Sequence, residues 1–314
     1  MHFNKYKMSE PIKTIKLNNG HECPVLGIGT SHMQNVEDII YESIKNGTRL
    51  IDTASKYQNE EEVGKGIKKA IEDNLVKRED LFIVTKCWIT EKEDPEKALR
   101  SSLVKLQLDY VDLYLDHWPS GKCYGGKENF KLVSMKEMWP KMENLVEQGL
   151  TRSIGVSNYN VQNLLIILSF CKIKPVVNEV EFHPYLYQKD LKEYCDKVGI
   201  VLFAYNPLVK GSYCKNRHAE IMKEKQLDLL NEDIVKSLAS KYDKTPGQIV
   251  LNWHVRLGVV PIPGTSNPER MKENLEAARF DMKEEDFKSL CDLSEKKEFR
   301  FCDSFSIYGI DIFA

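Results

Sequence analysis

What the chain lacks narrows it first. No apolar run approaches the ~20 residues that cross a bilayer; the longest, Leu164-Leu165-Ile166-Ile167-Leu168, is short enough to be buried helix. No excess of positive charge marks it for nucleic acid: 45 basic and 47 acidic side chains leave a formal net charge of −2, although that total is compatible with a local basic patch. No C-x-x-C pair occurs among its eight cysteines, and no apolar signal core opens it. The expectation is therefore a cytoplasmic chain with free thiols, not a disulfide framework. No H-E-x-x-H motif and no His/Cys cluster at zinc spacing is present, so no metal is expected. A glycine-rich dinucleotide turn is missing as well. Gly27-Ile28-Gly29 has no third glycine before a helix, and Gly64-Lys65-Gly66 lies inside a helical pattern rather than after a strand.

What is there is a repeating rhythm of strand, loop and helix across 314 residues. Strands are expected at 24–29, 49–53, 82–87, 111–116, 152–156, 177–181, 200–205 and 259–263. Most are short and apolar on both faces, the pattern of a parallel sheet covered on each side. Helical patterns separate them. Asn59 with Glu62 reads as a capping box ahead of Val63, Ile67, Ala70 and Ile71. Asp94-Pro95 reads as N-cap and first helical residue ahead of Leu99, Leu103 and Leu106. Gly149 reads as a helix stop. Pro140 fits its helix only near the start or at a kink. Eight strand–helix units point to an α/β fold, a (β/α)8 TIM barrel. The stretch 14–22 reads as a β-hairpin turning at Asn19-Gly20 and placed to plug the barrel bottom. The expected organisation is a disordered N-terminal extension at 1–11 and one barrel domain at 12–314, with a C-terminal loop over the active-site face.

Ionisable groups inside buried strands are costly unless paired. Three of these runs end in one. Asp52 closes Arg-Leu-Ile-Asp-Thr-Ala (49–54), Lys86 interrupts Phe-Ile-Val-Thr-Lys-Cys-Trp (82–88), and His117 ends Val-Asp-Leu-Tyr-Leu-Asp-His-Trp (111–118); Tyr57 follows Asp52 by five residues. Parallel neighbours would bring a carboxylate, an ammonium, a phenol and an imidazole to one end of the sheet, a set suited to proton transfer. For any one of them alone, a buried Asp–Lys pair or a core histidine is the plainer reading.

Longer stretches carry a resemblance. Asp-Thr-Ala-Ser-Lys-Tyr-Gln-Asn-Glu-Glu-Glu-Val-Gly (52–64), Leu-Val-Glu-Gln-Gly-Leu-Thr-Arg-Ser-Ile-Gly-Val-Ser-Asn (145–158) and Pro-Ile-Pro-Gly-Thr-Ser-Asn-Pro-Glu-Arg (261–270) with Glu273 and Asn274 resemble the three signatures of the aldo-keto reductase family. The resemblance runs from about Ile12 to Ala314. It implies a barrel that binds a nicotinamide dinucleotide without a Rossmann domain, and it implies that Asp52, Tyr57, Lys86 and His117 are the catalytic tetrad. In that scheme hydride reaches a carbonyl carbon while Tyr57 gives a proton to the oxygen. A free tyrosine titrates near ~10, and Lys86 is expected to lower that value while Asp52 holds the lysine. His117 would orient the carbonyl, and histidine rather than glutamate there points to C=O reduction.

By the same resemblance Ser157, Asn158 and Glu179 hold the nicotinamide carboxamide, with Glu179 in place of the usual glutamine, and the ring stacks on Tyr205. Thr30, Asn206 and Leu208 complete that part of the cofactor site. Thr265, Ser266, Arg270, Glu273 and Asn274 match the adenosine end, where Arg270 and Thr265 face a 2′-phosphate. The family's common lysine is Gly264 here, so the expected cofactor is NADPH, with NADH as second choice. Lys210, Lys215, Arg217, His218, Lys223 and Lys225 form either a basic strap over the phosphates or a charged surface helix. Ser31, Trp88, Trp118, Phe301 and Cys302 are expected around the substrate, joined by Phe305 and Tyr308 of the tail. The implied function is NADPH-dependent reduction of aldehydes and ketones, sugar aldehydes included, by a monomer whose partner is a small-molecule carbonyl. The alternative is a cofactor-binding regulatory module with little turnover.

Overall fold

The structure is a computed structural model that describes residues 13–119, 133–210, 212–302 and 313. The expected extension at 1–11 and the tail residues Phe305 and Tyr308 lie outside the described residues.

The chain opens with an antiparallel hairpin, β1 (Thr14–Lys16) and β2 (Glu22–Pro24), with Asn19-Gly20 in its turn. Eight parallel strands follow: β3 (Ile28–Gly29), β4 (Leu50–Asp52), β5 (Phe82–Cys87), β6 (Leu113–Asp116), β7 (Ile154–Ser157), β8 (Val177–Glu181), β9 (Val201–Tyr205) and β10 (Val260–Pro261). Each pairs with its successor in the chain. Main-chain bonds from Gly27 N to Pro261 O (3.1 Å) and from Gly29 N to Pro263 O (3.4 Å) join the first strand to the last, closing the sheet into a (β/α)8 barrel. Helices α1 (Val36–Lys45), α2 (Glu60–Glu72), α3 (Pro95–Leu106), α4 (Met135–Glu147), α5 (Val161–Leu168) and α6 (Lys189–Val198) separate β3 through β9. Three helices, α7 (Ser212–Glu224), α8 (Asp233–Tyr242) and α9 (Pro246–Arg256), lie between β9 and β10; α10 (Pro268–Glu276), α11 (Glu284–Cys291) and α12 (Leu293–Lys296) follow.

Strand parity sorts the side chains. Leu50, Phe82, Val84, Leu113, Leu115, Val177, Phe203 and Val260 share one buried cluster inside the barrel with Leu17 and Cys23 of the hairpin, which therefore closes the bottom. Their alternates Ile51, Ile83, Tyr114, Ile154, Val156, Val180 and Leu202 pack outward beneath the helices. The inward series carries on to Asp52, Lys86, Ser157, Glu179 and Tyr205 at the carboxyl ends of the strands. Gly155 is the inward residue of β7 below Ser157. A Cβ there would stand 2.7 Å from both Leu115 Cδ2 and Val177 O, so the barrel has no room for a side chain at that height. Gly64 has a packing role rather than a phosphate-binding one: a Cβ on it would stand 2.6 Å from Leu106 O of α3.

Several local expectations change on folding. The stretch 24–29 is not one strand, because Pro24 ends the hairpin and Ile28–Gly29 begins the barrel. Asn59 precedes α2 but makes no capping bond. Its amide is taken by tertiary contacts, accepting from Thr53 Oγ1 (3.1 Å) and donating to Thr30 O (2.9 Å), while the Glu62 carboxylate accepts from Val36 N at the start of α1. Asp94 does cap α3, accepting from Lys97 N at 3.0 Å ahead of Pro95. Pro140 lies inside α4 beyond the first turn, where its missing N–H removes one helical bond.

Candidate active site

Lys86 is 0% exposed at the inward carboxyl end of β5. Its ammonium donates to both oxygens of Asp52 (2.7 Å each), to Thr53 O (3.1 Å) and to Tyr57 Oη (3.3 Å), and it lies 3.3 Å from Glu179 Oε1. A one-turn 3-10 helix after β4, Ser55–Tyr57, turns the phenol back over the lysine. His117 follows β6. Its main-chain N donates to Cys87 O (3.1 Å), its carbonyl accepts from Asn158 Nδ2 (3.0 Å), and its ring stands edge-on to Tyr57 (5.8 Å) and Trp88 (5.0 Å). The carboxylate, ammonium, phenol and imidazole thus meet at the barrel mouth.

Burial sets their charge states. It would lower the Lys86 amine, but Asp52 and Glu179 outweigh it and hold the ammonium above its ordinary range. Burial raises the Tyr57 phenol by more than Lys86 pulls it down, so the expected lowering does not occur and Tyr57 stays a neutral O–H donor. Burial, then the cations Lys86, Lys92 and Lys56, push His117 well below its usual range, leaving a neutral imidazole. Burial and then the neighbouring Asp52 push Glu179 well above the carboxylate range; Asp52 is also raised by burial, against the pull of Lys86. One ammonium faces two carboxyl groups, and burial works against charge on both of them.

The other sequence-selected residues fall into groups. Ser157 Oγ donates to Glu179 O (2.9 Å); Asn158, at a left-handed φ of 64°, donates from Nδ2 to Ser157 Oγ (3.1 Å) and accepts at Oδ1 from Tyr205 Oη (2.8 Å). Thr30 is buried just after β3, its N donating to Asp52 O (3.0 Å). Asn206 donates to Glu181 Oε1 (2.9 Å), and Leu208 packs into the core. The residues 265–274 form a separate, shallower group beyond β10. Thr265 Oγ1 accepts from Asn267 N (3.2 Å), and Asn267 Oδ1 caps α10 by accepting from Glu269 N (2.8 Å) and Arg270 N (3.3 Å). Ser266 and Arg270 are exposed; Glu273 and Asn274 are half-buried. Trp88, Trp118, Cys302 and Phe313 pack together with Ile89, and Ser31 is exposed after β3. Phe301 departs from its expected place on the pocket wall: it is fully buried, against His183 (5.6 Å), His218 (5.7 Å) and Phe299 (4.8 Å). Lys210 pairs with Asp228 (3.1 Å); the side chains of Lys215 and Arg217 lie outside the described residues.

The profile of the aldo/keto reductase family matches residues 16–295. The chain belongs to the aldo/keto reductase family. It is 39% identical to aldose reductase B of Dictyostelium discoideum, over 91% of this chain and 94% of that one. It is 38% identical to an NAD(P)H-dependent D-xylose reductase of Hypocrea jecorina, over 89% and 92% respectively. Among solved structures it resembles a Bombyx mori aldo-keto reductase in complex with NADP, with a TM-score of 0.85, 31% identity, and coverage of 96% of this chain and 98% of that one.

Two buried networks of this aldo/keto reductase escaped the sequence reading. Glu181, the inward end of β8, accepts from Phe301 N (3.0 Å) and Cys302 N (2.8 Å), as well as from Asn206, and so ties the tail to the barrel. His183 and Asn206 outweigh its burial and keep it a carboxylate. Behind His117, Lys92 donates to Asp116 Oδ2 (2.9 Å) and to Trp118 O (2.5 Å), while Tyr159 Oη donates to the same carboxylate oxygen (2.8 Å). Lys92 therefore bridges the two residues that flank His117. The signal available was the one that found Asp52: Asp116 and Glu181 are ionisable residues at the ends of apolar runs.

Proposed function

We propose that this aldo/keto reductase reduces aldehydes and ketones, sugar aldehydes among them, to alcohols with NADPH, and accepts NADH as second choice. The observation that carries the reading is the Asp52–Lys86–Tyr57 cradle with His117 beside it, 0% to 7% exposed at Asp52, Lys86 and His117. A nicotinamide suits the same place. Thr30 Oγ1, Glu179 Oε2 and His117 Nδ1 are buried there with no partner among the described residues, polar atoms of the kind a carboxamide can satisfy. Tyr205 supplies an aromatic face.

When bound, NADPH supplies hydride from nicotinamide C4. The chain's own part is to hold the carbonyl and deliver a proton. Neutral His117 presents an N–H to the carbonyl oxygen and sets its direction. Tyr57 gives its proton to that oxygen as negative charge develops, and the Lys86 ammonium stabilises the phenolate left behind. Asp52 fixes Lys86, and solvent returns the proton to Tyr57. The balance is one carbonyl, one NADPH and one proton consumed for one alcohol and one NADP+. At the other end Arg270 is exposed with no ion pair among the described residues, available to a 2′-phosphate beside Thr265. Without a lysine at Gly264 that preference is weaker, which leaves room for NADH. The relatives support both the reaction and the cofactor: one is an NAD(P)H-dependent D-xylose reductase, another was crystallised with NADP. The reading extends to one catalytic domain over 12–314, with 1–11 as an extension, acting as a monomer in the cytoplasm. Cys23, Cys87 and Cys195 are buried free thiols, as a reducing compartment would keep them.

The test is NADPH consumption with a panel of aldehydes and ketones, with the alcohol identified and kcat/KM compared for both cofactors. Turnover with NADPH favoured is expected. A clear NADH preference would overturn the cofactor assignment, and tight NADPH binding without turnover of any carbonyl would overturn the reaction in favour of a regulatory module.

A further inference from the structure

Lys56 stands on the wall of this site, and the reduction chemistry does not use it. It lies between Ser55 and Tyr57 in the 3-10 turn, so the turn that carries Tyr57 over Lys86 also fixes its neighbour. Tyr57 is half-buried, whereas Lys56 is exposed. Its ammonium stands 4.9 Å from the centre of the Trp88 ring, and that ring stands edge-on to His117 at 5.0 Å. Trp88 thus fills the space between a surface cation and the imidazole.

The other cations near His117 are already neutralised. Lys86 is paired with Asp52 and Lys92 with Asp116, all four side chains buried. Lys56 forms no ion pair among the described residues. Glu91 lies along the same wall and is held by the turn itself, its Oε2 accepting from Ser55 Oγ (2.7 Å) and Trp88 N (2.7 Å). A neutral sugar aldehyde has no need of a cation here. A carbonyl compound with an anionic group on its far side does, because a positive charge at the rim of a concave site both attracts and orients it.

We propose that Lys56 selects carbonyl substrates bearing an anionic group, carboxylate or phosphate, a few bonds from the C=O. His117 and Tyr57 hold the carbonyl oxygen, Trp88 covers the intervening carbons, and Lys56 takes the anion. This rests on the carbonyl-reductase reading above.

The test uses matched pairs: 4-formylbenzoate against its methyl ester, and glyceraldehyde 3-phosphate against glyceraldehyde. The quantity read is the anionic-to-neutral ratio of kcat/KM in wild type, Lys56→Met and Lys56→Glu. Methionine keeps an unbranched apolar side chain beside Trp88 and removes only the charge. We expect the ratio to fall about tenfold in Lys56→Met and further in Lys56→Glu, and the wild-type ratio to shrink with added salt, as for any exposed charge. Calorimetry of 4-(hydroxymethyl)benzoate against benzyl alcohol, on enzyme saturated with NADP+, should show the same loss of discrimination in Kd. A fall confined to one pair identifies the anion. Equal ratios in all three proteins would overturn the proposal alone. Turnover of neither member of either pair would instead bring down the reductase reading and this proposal with it.

Discussion

The two ends of the cofactor site proposed for this protein are built in opposite ways. At the barrel mouth Lys86 is 0% exposed and already bonded to Asp52, Thr53 and Tyr57. Beyond β10, Ser266 and Arg270 are exposed, and the bonds in that segment are local ones that cap α10 through Asn267. The first region is organised by folding, because charges taken out of water persist only with partners in place. The second has side chains that a ligand must order. Preorganisation belongs where charge develops during reaction; adjustable contacts suffice where a ligand is only held. Substitutions in the mouth should therefore change rate and stability, and those beyond β10 should change affinity and cofactor choice.

The largest effect is expected from Lys86→Met. Without the ammonium nothing stabilises the tyrosinate, and kcat should fall by about 10³ or more in steady-state assays; a loss under tenfold would show that the cradle is structural. Next is Lys92→Met, which leaves Asp116 buried and unpaired beside His117. Urea unfolding should show a loss of about 3 kcal/mol, with kcat falling as His117 and Trp118 lose their common support; unchanged stability would mean that the network behind His117 is dispensable. Arg270→Met should raise KM for NADPH about tenfold and KM for NADH much less. Equal changes with both cofactors would erase the distinction between the two ends.

The smallest expected effect is on pH-dependent stability. Burial and Asp52 hold the Glu179 pKa in the folded chain above its unfolded value. The folded chain keeps a proton that the unfolded chain releases above the ordinary glutamate range. Stability from this group is thus full at low pH and is lost as pH rises through and above that range. Glu179→Gln removes the loss. Its Tm relative to wild type should increase as pH rises from about 5 to about 8. A constant difference by calorimetry would place Glu179 as a permanent carboxylate.

Much of the mouth was legible because burial and charge conflict in one dimension as they do in three. Asp52, Lys86 and His117 each end an apolar run, and strand parity then turns them inward together. The rest depended on contacts between distant segments. The seam between β3 and β10 rests on Gly27–Pro261 and Gly29–Pro263 bonds, which no local pattern announces, and the stretch 24–29 was accordingly read as one strand. Asn59 has the composition of a cap, yet Thr53 and Thr30 claim its amide. Asp116 carried the same signal as Asp52, but its partner Lys92 comes from a loop without periodicity. The Tyr57 phenol shows the limit of pairwise reasoning. The attraction of Lys86 was foreseeable from the residue types, whereas the larger effect of burial exists only once the barrel is closed.

The most direct measurement is a single-turnover reduction of an aldehyde by Tyr57→Phe with NADPH already bound, beside NADPH titrations of both proteins by fluorescence. The buried cradle predicts a rate lower by about 10³ with NADPH affinity within about twofold of wild type. A rate within tenfold of wild type, or a loss of affinity as large as the loss of rate, would contradict it.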